Sequence, residues 1–161
     1  MIRKVEKNEL SEMMAIYRAA QQFMAENGNP TQWGTFHPSM EMLEEDVELG
    51  RLYAVERDGA VCGVFMFEVG DDPSYAVIED GSWAEETPYG VIHRIAAKIG
   101  AKGVVREAVD FGLTKIGHLR IDTHENNKVM KHVLEKIGFQ YRGIIYVYDG
   151  TSRVAYDYIV K

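Results

Sequence analysis

Apolar residues recur along this chain with two periods, and the switches between them lay out the elements. Residues 2–5 are short and β-compatible. From Asn8, a residue suited to capping, Leu10, Met13, Met14, Tyr17, Ala20 and Met24 return at helical spacing until Gly28. After the turn-rich Asn29-Pro30-Thr31 a second helix is predicted from Pro38 or Ser39, with Met40, Leu43 and Val47 inward and Gly50 at its end. Residues 51–57 and 60–67 then flank Asp58-Gly59 and read as a hairpin, because that pair supplies the positive φ of a tight turn. Residues 70–87 break into Gly, Asp, Pro, Ser and scattered aromatics, a long loop with a short strand near 76–78. Two strand–helix pairs follow, a strand at 91–96 with a helix at 103–116 and a strand at 119–123 with a helix at 126–137. Strands at 140–148 and 153–160, joined at Asp149-Gly150, close the chain. This order mixes hairpins with a pair of parallel strand–helix units. It predicts a single α+β domain over residues 1–161, with one mixed, mostly antiparallel sheet of six to seven strands flanked by about four helices.

Composition sharpens the class. With 161 residues, 46% hydrophobic and 27% charged, the chain suits one globular domain and excludes collagen, a coiled coil and a disordered tail. The single cysteine, Cys62, has no intramolecular partner and sits in an apolar run, where a thiol behaves as a small buried hydrophobe. No apolar stretch reaches the roughly 20 residues of a membrane span, and the first ten residues lack a signal-peptide core, so the expected address is the cytoplasm, with no membrane partner. The five histidines and the cysteine show no ligand spacing, so no metal is expected.

Charge has a location. The net −7 argues against nucleic acid as a partner, a transfer RNA included. Seven acids, Glu68, Asp71, Asp72, Glu79, Asp80, Glu85 and Glu86, lie in one stretch with no Lys or Arg, and the rest of the chain balances at 18 against 18. Between Tyr89 and Arg106 the pattern reverses, with Lys98 and Lys102 on a glycine-bearing turn that opens a helix. Such a turn offers unpaired amides at the positive end of a helix dipole, a natural pyrophosphate site. An ordinary turn with a solvated basic face fits the same residues. Neither G-x-x-x-x-G-K-[ST] nor G-x-G-x-x-G occurs.

Asn127-Lys128-Val129-Met130 and Lys136-Ile137-Gly138-Phe139, behind that turn and in this order of elements, resemble the GNAT superfamily of acyl-CoA-dependent N-acetyltransferases. The stretches 93–96 and 118–124 are similar to a group of small bacterial acetyltransferases of undefined substrate. The resemblance implies acetyl-CoA as co-substrate, a central splayed parallel pair of strands, and backbone pairing of Ile95 and Ala97 with the pantetheine arm. The family's phosphate turn falls on Gly100, Ala101, Lys102, Gly103, Val104 and Val105, of which Gly103 alone agrees with its [Q/R]-x-x-G-x-[G/A] form. Asn127 binds pantetheine or phosphate by the same resemblance, helix capping being its alternative, and His124 binds the cofactor or orders its loop. The family's usual general acid, a tyrosine two residues before Lys136, is Leu134 in this chain.

Chemistry then needs other groups. His93, one alternation from Ile95, is favoured as the base that strips the amine, since imidazole exchanges protons near neutral pH; Glu79 acting through water is the alternative. Tyr146 can supply the missing hydroxyl, and His37 and His132 read as surface residues. The acidic loop, through Asp71, Asp72, Tyr75, Trp83 and Tyr89, is expected to join Trp33 in an acceptor pocket for a cationic amine: a polyamine, an aminoglycoside-like amine, or a peptide N-terminus or lysine. A solvated loop whose aromatics pin it to the sheet is the other reading. The expected activity is direct transfer, Cys62 being a poor nucleophile, by a monomer or homodimer. The alternative is a catalytically silent acyl-CoA-binding regulatory module.

Overall fold

A computed structural model describes residues 1–34 and 37–161. Among them the apolar periods resolve into β1 (Ile2–Lys4), α1 (Leu10–Glu26), α2 (Met40–Glu48), β2 (Leu52–Arg57), β3 (Ala60–Val69), β4 (Gly90–Ala97), α3 (Val104–Leu113), β5 (His118–Thr123), α4 (Lys128–Ile137), β6 (Gln140–Tyr146) and β7 (Ser152–Ile159). The strands form one mixed sheet in the order β1-β2-β3-β4-β5-β7-β6, in which β4 and β5 are the parallel pair. The α+β class is as the sequence predicts.

Two local expectations change. Asn8 does not cap α1. A 3₁₀ turn, Lys7–Glu9, precedes the helix, and the Glu6 amide donates to Glu9 Oε1 at 3.0 Å. The strand near 76–78 does not form either: Pro73–Tyr75 is a 3₁₀ turn, and Glu79 makes a single bridge to Ile144. The loop crosses β6 there so closely that side chains at Gly81 and Gly143 would run into the backbone of Arg142 and Glu79.

Strand alternation sorts the core into layers. On one face α1 and α2 bury Met13, Tyr17 and Leu43 against Leu52, Ala54 and Val64. On the other, α3 and α4 bury Val104, Ala108, Val109 and Leu134 against Phe65, Ile92, Leu119 and Ile121. Each Val, Leu, Ile, Phe or Met among them contributes about 1.5–3 kcal/mol by leaving water. Gly63 lets α3 approach the sheet, because a Cβ there would lie 2.7 Å from Val104 Cγ1. The part of the first face that α1 and α2 leave bare is covered by the acidic loop, whose Tyr75, Trp83 and Tyr89 pack on Met66, Val91, Ile145 and Ala155.

Two irregularities open this sheet in its middle. β4 pairs with β5 only at Gly90↔Leu119 and Val91↔Arg120, and beyond Val91 the strands part. On its other edge β4 carries an extra residue, since Met66 faces His93 whereas Val64 faces Ala96. The bulge puts Arg94 at φ +51, a left-handed conformation that costs a non-glycine residue about 1–2 kcal/mol. Tertiary contacts hold it there. The Tyr17 hydroxyl donates to Arg94 O at 2.8 Å, and the Arg94 guanidinium grips both oxygens of the fully buried Asp46 at 2.8 Å.

Candidate active site

The gap between β4 and β5 continues into a cleft of about 690 Å³, within the range of small-molecule sites. Its floor comes from β4 and β5, and its walls from the chain between α1 and α2, the start of the acidic loop, and the β6–β7 turn. His93, Ile95, Asp122, Asn127 and Tyr146 line it, and so do Trp33, Asp71 and Asp72.

His93 sits between two carboxylates. Its Nε2 lies 2.7 Å from Asp72 Oδ2 and its Nδ1 3.8 Å from Asp122 Oδ2. Asp72 is itself fixed: Oδ1 accepts from the Ser74 amide at 2.9 Å, and its own amide donates to the Tyr89 hydroxyl at 2.8 Å. Burial alone would raise the Asp72 pKa, but the hydrogen bonds from His93 and Ser74 outweigh it and hold the carboxyl at about 2. An ionised Asp72 only accepts hydrogen bonds, so Nε2 of a neutral His93 carries the proton and Nδ1 keeps the lone pair. Asp122 Oδ2 already accepts the Tyr75 hydroxyl at 2.7 Å. Burial, then the Asp122 charge, pushes the Tyr75 phenol well above its ordinary value, so it remains a donor.

The other candidates divide. Glu79 lies outside the cleft, where it accepts the Tyr146 hydroxyl at 3.0 Å, and that hydrogen bond raises the Tyr146 pKa. Tyr75, Trp83 and Tyr89 do not line the cleft. They are buried beneath the loop, and the cation between Trp83 and Tyr89 is the protein's own Arg120, whose guanidinium carbon lies 4.2 and 4.0 Å from the two rings. His37 is no surface residue. It lines the cleft, and burial, helped by the charges of Arg94 and Arg153, pulls its pKa down to about 4.

At the phosphate turn, Gly103 takes φ +79 as the N-cap of α3 and Gly100 takes φ +87. The first ladder bond of α3 runs from the Glu107 amide to Gly103 O at 3.0 Å, which leaves the amides of Val104, Val105 and Arg106 at an open helix end. Val104 offers only its backbone, its side chain being buried. Ala97, Gly100, Ala101 and Lys102 lie on the strand end and turn, outside the cleft. Asn127 caps α4 by accepting the Met130 amide at 3.1 Å, and its amide nitrogen donates to Gln32 Oε1 at 3.2 Å. His124 also lies outside the cleft, with Nδ1 accepting the Asn126 amide at 3.0 Å. Among the described residues no group of three or more His, Cys, Asp or Glu side chains is placed to hold a metal ion.

No family model and no curated protein matches the sequence. Solved structures do. An acetyltransferase of the GNAT family from Streptococcus agalactiae aligns over 100% of this chain and 95% of its own, with 28% identity and a TM-score of 0.90. The chain has the fold of the GNAT acetyltransferases. Its GNAT fold is shared more distantly by an acetyltransferase from Listeria monocytogenes, at 18% identity over 99% of this chain and 94% of that one with a TM-score of 0.71. AAC(6')-Ib, solved in complex with ribostamycin and coenzyme A, aligns at 19% identity over 99% and 92% of the two chains with a TM-score of 0.68. Leu134, at the position where the sequence resemblance expects a tyrosine, is fully buried under the sheet.

Asp122, Arg153, Gln32 and His37 belong to the cleft without any sequence motif to mark them. Asp122 had one signal. It alternates with Ile121 on the polar side of β5, the side that the acidic loop covers.

Proposed function

We propose that this chain transfers the acetyl group of acetyl-CoA directly to a primary amine, with no acyl-enzyme intermediate. The observation that carries the reading is a positioned histidine beside an open strand edge: His93 stands between Asp72 and Asp122 where β4 has parted from β5. The unpaired edge of β4 at Ile95 and Ala97 suits an extended amide-bearing arm, which adds to it as another strand would. The open amides of Val104, Val105 and Arg106, with Lys98 and Lys102 beside them, suit a pyrophosphate. Acetyl-CoA, bound along this path, supplies the thioester.

The chain's own groups do the rest. The acceptor arrives as an ammonium, drawn by Glu68, Asp71, Asp72 and Asp122 at the cleft. His93 Nδ1 takes a proton from it, and Asp72 steadies the imidazolium that forms. The freed amine attacks the thioester carbon, the C–N bond forms and the C–S bond breaks. Of the two protons lost between ammonium and amide, one returns to sulfur and one is released. Tyr146 is the donor to sulfur. Its hydroxyl reaches Glu79, whose charge keeps the phenol protonated, so Glu79 is a positioning residue and not the base.

Thermal denaturation with increasing acetyl-CoA, together with thiol release on a panel of primary amines, tests the reading. Stabilisation should follow RT ln(1 + [L]/Kd), about 2.7 kcal/mol at one hundred times Kd. No stabilisation overturns it. The buried Leu134 at the family's tyrosine position favours one other reading, a silent acyl-CoA-binding module. Stabilisation without thiol release from any amine would select that alternative.

A further inference from the structure

Five cationic or imidazole side chains line the cleft, Arg51, Arg94, Arg153, His37 and His93, and one of them lacks the partner that burial demands. Arg51 and Arg94 share the Asp46 carboxylate at 2.8 Å each, and Arg51 also reaches Glu68 at 3.1 Å. His93 has Asp72. Arg153 is 8% exposed, yet among the described residues no carboxylate lies within 4 Å of its guanidinium. Its bonds go to neutral oxygens: Nη1 donates to Thr151 Oγ1 at 3.0 Å and Ser152 O at 2.8 Å, and Nη2 to Gln32 O at 3.3 Å. Asp149 is reached only through Thr151, whose hydroxyl donates to its Oδ1 at 2.6 Å. A buried guanidinium without a counter-charge is costly, and its planar fork matches a carboxylate.

The position of Arg153 says which ligand it meets. It shares the parity of Ala155 on β7, whose side chain packs with Tyr75 and Val91 on the face away from α3 and α4. His93 shares the parity of Val91 on β4, so both side chains project to that same face, opposite the phosphate turn at α3. Register fixes the spacing. Asp122 pairs with Ala155, and Arg153 lies two residues further along β7, about 7 Å at the rise of a strand. Asp122 in turn faces His93 Nδ1. Between the base and the guanidinium there is thus room for an amine and a carboxylate a few bonds apart.

We propose that the acceptor is a small amino acid, its amine presented to His93 and its carboxylate received by Arg153. This rests on the acetyltransferase reading above and narrows its acceptor: the amine is cationic, but the molecule that carries it is a zwitterion. His37, which also lines the cleft, is held neutral by burial and offers the carboxylate no second charge.

The test compares free amino acids with their C-terminal amides, and ω-amino acids with the corresponding diamines, by thiol release from acetyl-CoA. Calorimetric binding to the coenzyme A complex is measured in parallel. The native protein should favour the free acid by about 10²-fold in kcat/KM, as for a desolvated charge pair that loses one partner. Arg153→Gln should bring the ratio to within about threefold, and Arg153→Lys should fall between, both at unchanged stabilisation by coenzyme A. Equal or faster transfer to amides and diamines overturns the inference, as does a panel in which no free amino acid is bound or acetylated. In either case stabilisation by acetyl-CoA and thiol release from some amine leave the acetyltransferase reading standing. Loss of both would remove that reading as well. The native protein's own preference decides the matter even where a variant fails to fold.

Discussion

The basic turn at residues 98–106 and the acidic loop at residues 68–89 serve opposite faces of the gap between β4 and β5, and they differ less in sign than in what becomes of their charges. Lys98 and Lys102 have no ion-pair partner among the described residues, and Arg106 has only an exposed neighbour, Asp110, at 3.7 Å. The turn keeps its positive field. In the loop, Glu68 goes to Arg51, Asp72 to His93, Glu79 to Tyr146, Asp80 to Tyr141 and Glu86 to Arg120. What reads as an acidic surface in one dimension is largely a set of tethers in three, and the charges left facing the cleft are Asp71 and Asp122 on one side of His93 and, beyond them, Arg153, unpaired among the described residues. A run of like charge predicts a ligand's sign only where the rest of the fold supplies no partners.

The contrast can be broken from either side. The largest effect is expected on the loop side: His93→Gln should lower the rate of thiol release by about 10²–10⁴-fold while coenzyme A binding persists, measured by steady-state kinetics and calorimetry. Asp46→Asn should cost about 3–5 kcal/mol in a denaturant titration, because it leaves Arg94 with a neutral partner and Arg51 with Glu68 alone, and frees the bulge of β4. Arg120→Met should cost about 1–2 kcal/mol by emptying the slot between Trp83 and Tyr89, again without weakening coenzyme A binding. On the turn side, Gly103→Ala should cost about 1 kcal/mol through its φ of +79 alone, since a Cβ there meets nothing nearer than Arg57 at 3.7 Å. Coenzyme A affinity should fall with it, whereas Arg120→Met leaves that affinity intact. Equal effects of both on coenzyme A binding would erase the distinction between the two regions.

The smallest effect is one of pH. Asp72 is held at about 2 against an ordinary 3.8, so its ionised form contributes stability that is complete above pH 3.8 and is lost as the pH falls toward 2. Melting curves of Asp72→Asn and the native protein should therefore stay equally separated from neutrality down to about pH 4 and converge below it. A separation that instead vanished near neutrality would show that Asp72 is not the anchored partner of His93.

Element order was legible because each helix and strand buries one face, and a buried face writes its period into the sequence. The hairpin at Asp58-Gly59, the cap at Asn127 and the left-handed Gly103 are equally local, each set by the conformations open to one or two residues. His118, Arg120 and Asp122 show where that legibility ends. They alternate with Leu119 and Ile121 as a solvated strand face would, yet they are covered, because the loop from β3 to β4 lays Trp83, Tyr75 and Thr87 over them. Nothing in β5 announces the cover.

By itself, then, the sequence determined the α+β layout, the parallel pair, the glycine turn before α3 and the resemblance to the GNAT acetyltransferases. Tertiary structure alone decided that β7 lies between β5 and β6, that β4 bulges at Arg94, that Asp72 and Asp122 meet at His93, and that Arg153 has no counter-ion among the described residues. The physical reason is one of range. Periodicity and turn chemistry are fixed by neighbours within a few residues, whereas the partner of a charge is whatever side chain the fold brings within 4 Å, here from 48 residues away between Asp46 and Arg94.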